Sequence, residues 1–163
     1  MKRITILIIS MIFCVMFNSI YAQELSYHIK GKGYEGYVFC AEYNTNTLLF
    51  LQSNRFTPNE DEIAEIELLI KKQIKDLNSN KINQVKGCPI IHKRLKNYKR
   101  QYFGYIDENG NRIIWVNFIW HKKLSDNWHK ELQIVLDGCS YFWNIKVNLT
   151  TKEVFYLNVN GIG

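Results

Sequence analysis

Residues 57–77 read TPNEDEIAEIELLIKKQIKDL, and this stretch decides the architecture. Ile63, Ile66, Ile70, Ile74 and Leu77 recur at spacings of 3, 4, 4 and 3, which puts them on one stripe of an α-helix. Thr57 suits the N-cap and Pro58 the first helical position, where a missing N–H costs nothing. Glu60 then falls three residues after the cap, as a capping box requires. Glu60, Asp61, Glu62 and Glu65 crowd the first turns, while Lys71, Lys72 and Lys75 sit near the end, the order that the helix dipole favours. The spacing predicts a helix over 58–77. A single apolar stripe of this length must be covered by another layer.

That layer is legible downstream. From Arg100 onward the apolar period becomes two. Arg100–Ile106 and Arg112–Trp120 flank Asp107-Glu108-Asn109-Gly110-Asn111, and Asn-Gly between apolar runs is a strong hairpin signal. Glu131–Leu136 predicts a further strand. Tyr141, Trp143, Ile145, Val147 and Leu149 alternate with Ser140, Phe142, Asn144, Lys146 and Asn148, as in a sheet with one apolar and one polar face. Thr150-Thr151-Lys152 turns into a last strand over 154–159. Upstream, Gly36–Tyr43 and Thr47–Gln52 predict two short strands joined by a turn at 44–46. Gly31-Lys32-Gly33 reads as a flexible fragment, and residues 78–99 as a connector in which 90–98 is a short helix or an extended run. The expectation is an α+β domain, one long helix packed on a curved antiparallel sheet.

Residues 1–22 predict a signal peptide. Met1-Lys2-Arg3 is a basic start, Ile4–Phe17 is an apolar core, and Ala22 supplies the small residue before a cut at Gln23. The apolar run is short for a span, which takes ~20 residues. An uncleaved anchor, or a lipid on Cys14, are the alternatives. Export places the mature chain, residues 23–163, in the periplasm or the medium, with no transmembrane span once the signal is removed. Loss of Lys2 and Arg3 leaves 19 basic against 15 acidic residues, a net charge of +4. That charge is sufficient for solubility and too small to argue for nucleic acid.

Three cysteines remain in the mature chain: Cys40, Cys88 and Cys139. An exported chain can keep a disulfide, so one pair among these three is expected at most, with buried free thiols as the alternative. Their wide spacing lacks any C-x-x-C, which speaks against a zinc site. Cys88 precedes His92 by four residues, but no cysteine-hydrolase motif surrounds it. His121, Asp126 and His129 fall within nine residues, in a stretch where a solvated loop explains them better than a metal does. Asp107, Asp126 and Asp137 each sit at a predicted turn, where Asp serves the backbone. No catalytic residue, metal ligand or cofactor site is assigned.

A long helix followed by an antiparallel meander, over 36–159, resembles the cystatin-like and NTF2-like group of folds. The inhibitory hairpin of cystatins, Gln-x-Val-x-Gly, is not matched by Gln84-Val85-Lys86-Gly87. The segments Arg100-Gln101-Tyr102-Phe103-Gly104-Tyr105 and Asp137-Gly138-Cys139-Ser140-Tyr141-Phe142-Trp143 resemble those of small exported Gram-negative proteins without an assigned activity. The NTF2-like resemblance implies a pocket between helix and sheet lined by Tyr, Trp and His.

Two features point to binding. Lys93, Arg94, Lys96, Lys99 and Arg100 put five positive charges in eight residues, with Tyr98 among them. They form either a solvated connector or a patch for an anionic surface, on an acidic protein or a lipid headgroup layer. Trp120 and Trp128 bracket the polar stretch 122–127, and Trp beside Lys is typical of binding hot spots. The candidate binding residues are therefore Lys93, Arg94, Lys96, Trp120 and Trp128. The expected function is a non-catalytic exported binding protein whose partner is another protein, such as an inhibitor or immunity protein acting on a toxin or hydrolase in the same compartment. An exported NTF2-like enzyme or small-ligand binder, and a structural component of the cell envelope, are the alternatives.

Overall fold

In the computed structural model, residues 24–44, 54–85 and 87–163 are described. The predicted signal peptide, the strand at 47–52 and most of the turn before it lie outside them. Strands β1 (Ser26–Gly31) and β2 (Tyr34–Phe39) precede a two-residue strand β3 (Arg55–Phe56) and the helix α1 (Glu60–Leu77). Then follow β4 (Tyr98–Ile106), β5 (Arg112–Trp120), β6 (Phe142–Asn148) and β7 (Glu153–Val159). They form one seven-stranded sheet in the order β1-β2-β4-β5-β6-β7, with β3 beside the end of β4. Every pairing is antiparallel except β2 with β4. The class is α+β, as the sequence predicts.

The helix begins slightly later than Thr57 and Pro58 suggest. Asn59 is the N-cap: its side chain accepts from the Glu62 N–H, and the Glu62 carboxylate accepts from the Asn59 N–H. Thr57 is used elsewhere, its hydroxyl accepting from the Ala41 N–H at 2.9 Å. An Asx side chain satisfies the end donors at least as well as Thr, so the box shifts by two residues. We predict that Asn59→Ala lowers the unfolding free energy by about 1 kcal/mol, and that Thr57→Ala leaves helix content unchanged. Equal losses for the two variants in urea titrations would contradict this cap.

Ile63, Ile66, Ile70 and Ile74 are each at most 1% exposed, while Leu77 is 39% exposed and ends the stripe. The isoleucines pack on Val116, Phe118, Trp143 and Ile145 of the central strands. The opposite face carries Phe39, Phe103, Tyr105, Ile113 and Trp115. Alternation in the sequence predicts a polar, open second face. Instead residues 121–138, leaving β5, run across it as a strap, so both faces of the central strands are covered.

The strap also corrects the strand predicted at 131–136. That segment is irregular and joins no ladder. It crosses the sheet face rather than an edge, and side chains from below supply its hydrogen bonds. Buried Gln101 donates to the carbonyls of Trp128 and Glu131, each at 2.7 Å. Asn117 donates to the Gln133 carbonyl at 2.8 Å. Buried amides of this kind are stable only when paired, which explains why polar residues interrupt the apolar faces of β4 and β5.

Two glycines set the N-terminal hairpin. Lys32 and Gly33 form its two-residue turn, with Gly33 at φ +92°, so the segment predicted to be flexible is a tight β1–β2 connection. A Cβ on Gly36 would lie 2.2 Å from the Arg100 carbonyl oxygen, so only glycine admits the close parallel pairing of β2 with β4.

Candidate binding surface

The connector after α1 is neither a helix nor a strand. It folds into two 3₁₀ turns, Ile91–Lys93 and Leu95–Asn97, ahead of β4. Ile91 is fully buried and anchors the first turn, while Lys93, Arg94 and Lys96 project into solvent. The next two cations of the run are in β4 and serve the fold. Lys99 pairs with Glu35 at 2.8 Å and, with His28 and Lys30, holds that carboxyl below its ordinary range. Arg100 is 1% exposed and bonded to Glu67 of the helix. Tyr98 is likewise buried, its hydroxyl donating to the Ser140 carbonyl at 2.7 Å. The five-charge run is thus corrected to three surface cations and two structural ones. Period two separates them: once the chain enters a strand, alternate side chains must face one covered layer or the other.

Tertiary structure enlarges the patch with residues distant in sequence. Asn97 accepts from the His121 N–H at 3.0 Å and meets the His121 ring at 2.9 Å, which brings exposed Lys122 and Lys123 beside the 3₁₀ turns. On the other side, Asn78 at the helix end bonds the His92 ring at 3.1 Å. Burial, then the charges of Lys93, Lys81 and Lys75, pull His92 below its ordinary pKa, so this imidazole is held neutral within a cationic neighbourhood. Among the described residues, Lys93, Arg94, Lys96 and Lys122 take part in no ion pair. Only their positions relative to one another reveal this grouping, since Lys75 and Lys122 are far apart in the chain.

The two candidate tryptophans are not brought together. Trp120 ends β5 on the helix-bearing face, edge-on to Tyr98 at 5.1 Å and to Tyr141 at 5.6 Å. It is half-buried beside the basic turns. Trp128 lies on the opposite face, in the strap, edge-on to Tyr37 at 5.0 Å. Trp128 pins the strap and belongs to no shared surface with Lys93–Lys96.

Cys88 and Cys139 form a disulfide, and Cys40 is free. Burial raises the Cys40 thiol above its ordinary pKa, which keeps it in the inert protonated form. Cys88 therefore has no thiol to offer His92. His121 and His129 sit on different parts of the strap, against Asn97 and near the Tyr37 ring. Among the described residues no three His, Cys, Asp or Glu are placed to hold a metal ion. The space between helix and sheet, where the NTF2-like reading puts a pocket, is filled by the isoleucine stripe, Tyr102, Val116 and Trp143. Among the described residues no helix is long and apolar enough to cross a membrane.

Fold and surface together define a class: a helix-on-sheet α+β protein with a disulfide-braced basic corner. Comparison with known protein families, with curated proteins and with solved structures finds no match.

Proposed function

We propose that this chain is a non-catalytic exported binding protein that docks an acidic protein partner, in the manner of an inhibitor or immunity protein. The observation that carries the reading is the basic corner. Lys93, Arg94 and Lys96, extended by Lys122 and Lys123, are exposed and clustered on turns that are fixed at both ends. Charges held on a rigid frame cost less to organise than charges on a mobile loop, and they steer an oppositely charged partner to one orientation. Half-buried Trp120 beside them supplies apolar area of the kind found at interface centres.

The test is recovery of the tagged full chain, with its partner, from envelope and secreted fractions. The expected result is a one-to-one complex with a single protein of acidic surface. The triple variant Lys93→Glu, Arg94→Glu, Lys96→Glu is expected to weaken it roughly 10- to 100-fold, mostly through slower association, with the gap narrowing as salt is added. Unchanged affinity in that variant would remove the basic corner from the interface. Turnover of a substrate by the purified chain would replace the reading with an enzymatic one.

A further inference from the structure

Beside the disulfide lies an open cleft of about 380 Å³ that the basic corner does not account for. It is bounded by Cys88, Cys139, Tyr141, Phe142 and Ile162, so its lining is chiefly apolar. Two charged residues share it. Lys123 stands with its Nζ 5.8 Å from the centre of the Tyr141 ring, and Asp137 lies against Gly163. The cleft and the basic corner are continuous. Lys123 belongs to both, and the Tyr141 ring that walls the cleft is the ring Trp120 packs on.

Its dimensions choose among occupants. Pockets for small organic ligands run from ~300 to 1,000 Å³ and bury most of the ligand. This cleft is open on one side and leaves part of any occupant in solvent, which suits a side chain carried on a partner's surface better than a free metabolite that must be buried to bind. Its apolar rim continues outward through exposed Ile162, which is 56% accessible.

We infer that the cleft receives a single aromatic or aliphatic anchor side chain of the acidic partner, with a carboxylate beside that anchor meeting Lys123. The inference rests on the docking role proposed above. Asp137 adds a direction. A carboxylate placed at Asp137 rather than at Lys123 would be repelled, so the recognised segment carries its acid on the Lys123 side only. Anchors in pockets rimmed by charges are the usual energetic centre of such interfaces.

Two synthetic peptides test this against the purified full chain. One has a central phenylalanine with glutamates on one flank and serines on the other; its twin has alanine at the centre. Chemical-shift titration reads weak binding and locates it. The phenylalanine peptide is expected to bind about 10-fold or more tightly than its twin, as burial of one aromatic side chain implies, and to move the signals of Gly138, Tyr141 and Ile162. Ile162→Trp, a change at an exposed position, fills the cleft and is expected to reduce the ratio between the peptides to about 1. Lys93→Glu, Arg94→Glu, Lys96→Glu is expected to weaken both peptides alike and leave the ratio intact. Equal affinity for the two peptides, or a ratio unmoved by Ile162→Trp, overturns the anchor site. If both peptides bind equally and charge reversal abolishes both, the anchor fails while the docking role stands. A preference for phenylalanine that survives charge reversal at full affinity keeps the cleft and removes the basic corner. No binding of either peptide up to millimolar concentration overturns the anchor site, while a charge-dependent complex with the captured partner would still stand.

Discussion

Arg100→Met, with Glu67 left in place, is expected to lower the unfolding free energy by about 3–5 kcal/mol. Arg100 is 1% and Glu67 9% exposed, so neither charge is well solvated. The guanidinium donates from Nε to one Glu67 oxygen at 3.1 Å and from Nη2 to the other at 3.3 Å. It also donates to the Tyr98 and Gly33 carbonyls, and its Cζ lies 5.1 Å from the centre of the Phe118 ring, which in turn stacks on Trp143 at 3.7 Å. Tyr102 completes the group, its hydroxyl donating to Glu67 at 2.9 Å. Burial and the adjacent carboxylate push that hydroxyl well above its ordinary pKa, so it remains a donor. Removing Arg100 strands a buried carboxylate, and the penalty is that of an uncompensated charge rather than of one lost contact. The triple variant Arg100→Met, Glu67→Leu, Tyr102→Phe removes all three partners together and is expected to regain most of the loss. Urea unfolding monitored by tryptophan fluorescence decides it. A single-variant loss below about 1 kcal/mol would mean that Glu67 finds water, and the latch between helix and sheet would be of no account.

Loss of the Cys88–Cys139 disulfide is expected to cost about 4 kcal/mol by the loop-closure relation, since it joins residues 51 apart in sequence. Its local effect matters as much. The bond ties the connector after α1 to the end of the strap, and two hydrogen bonds run alongside it. Ser140 donates to the Pro89 carbonyl at 2.6 Å and Tyr141 to the Gly87 carbonyl at 2.8 Å. Cutting it frees the segment that leads into the Lys93–Lys96 turns and opens a wall of the cleft, so reduction is expected to weaken partner binding before the chain unfolds. Cys88→Ser, Cys139→Ser in a Cys40→Ser background gives the cleanest measurement, because the free thiol can then take no part in exchange. Identical urea midpoints and identical affinities for the oxidised and disulfide-free forms would deny the bond both roles.

Much of the frame is legible in the amino-acid order. The isoleucine spacing and the Asn-Gly hairpin are local signals, and local periodicity is what a strand or helix must satisfy to bury one side. The β4–β5 and β6–β7 hairpins and α1 follow them within a residue or two. The Asn59 cap is less legible, because Thr57 and Asn59 are both good caps and only the position of the preceding chain chooses between them. Glu131–Leu136 departs from its pattern for a related reason. Alternation of Leu132, Ile134 and Leu136 resembles a strand, but a strand also needs a free edge, and both edges of β5 are taken by β4 and β6.

The binding surface divides in the same way. Lys93, Arg94 and Lys96 are visible as a cationic group in the charge run. Which of the five charges are free is not visible there. Lys99 and Arg100 differ from the others only in entering β4, where the sheet assigns one to Glu35 on the strap-bearing face and the other to Glu67 on the helix-bearing face. The addition of Lys122 and Lys123, and the separation of Trp120 from Trp128 onto opposite faces, follow from pairings between distant residues. The helix, the two C-terminal hairpins and their apolar faces are thus written in the chain itself, because their periodicity depends on neighbours three or four residues away at most, whereas β1, over Ser26–Gly31, carries no such signal. The parallel β2–β4 pairing, the strap, the choice of Cys88 with Cys139 and the shape of the cleft arise only when the chain packs, because each depends on which distant groups remain unsatisfied once the helix has covered the sheet.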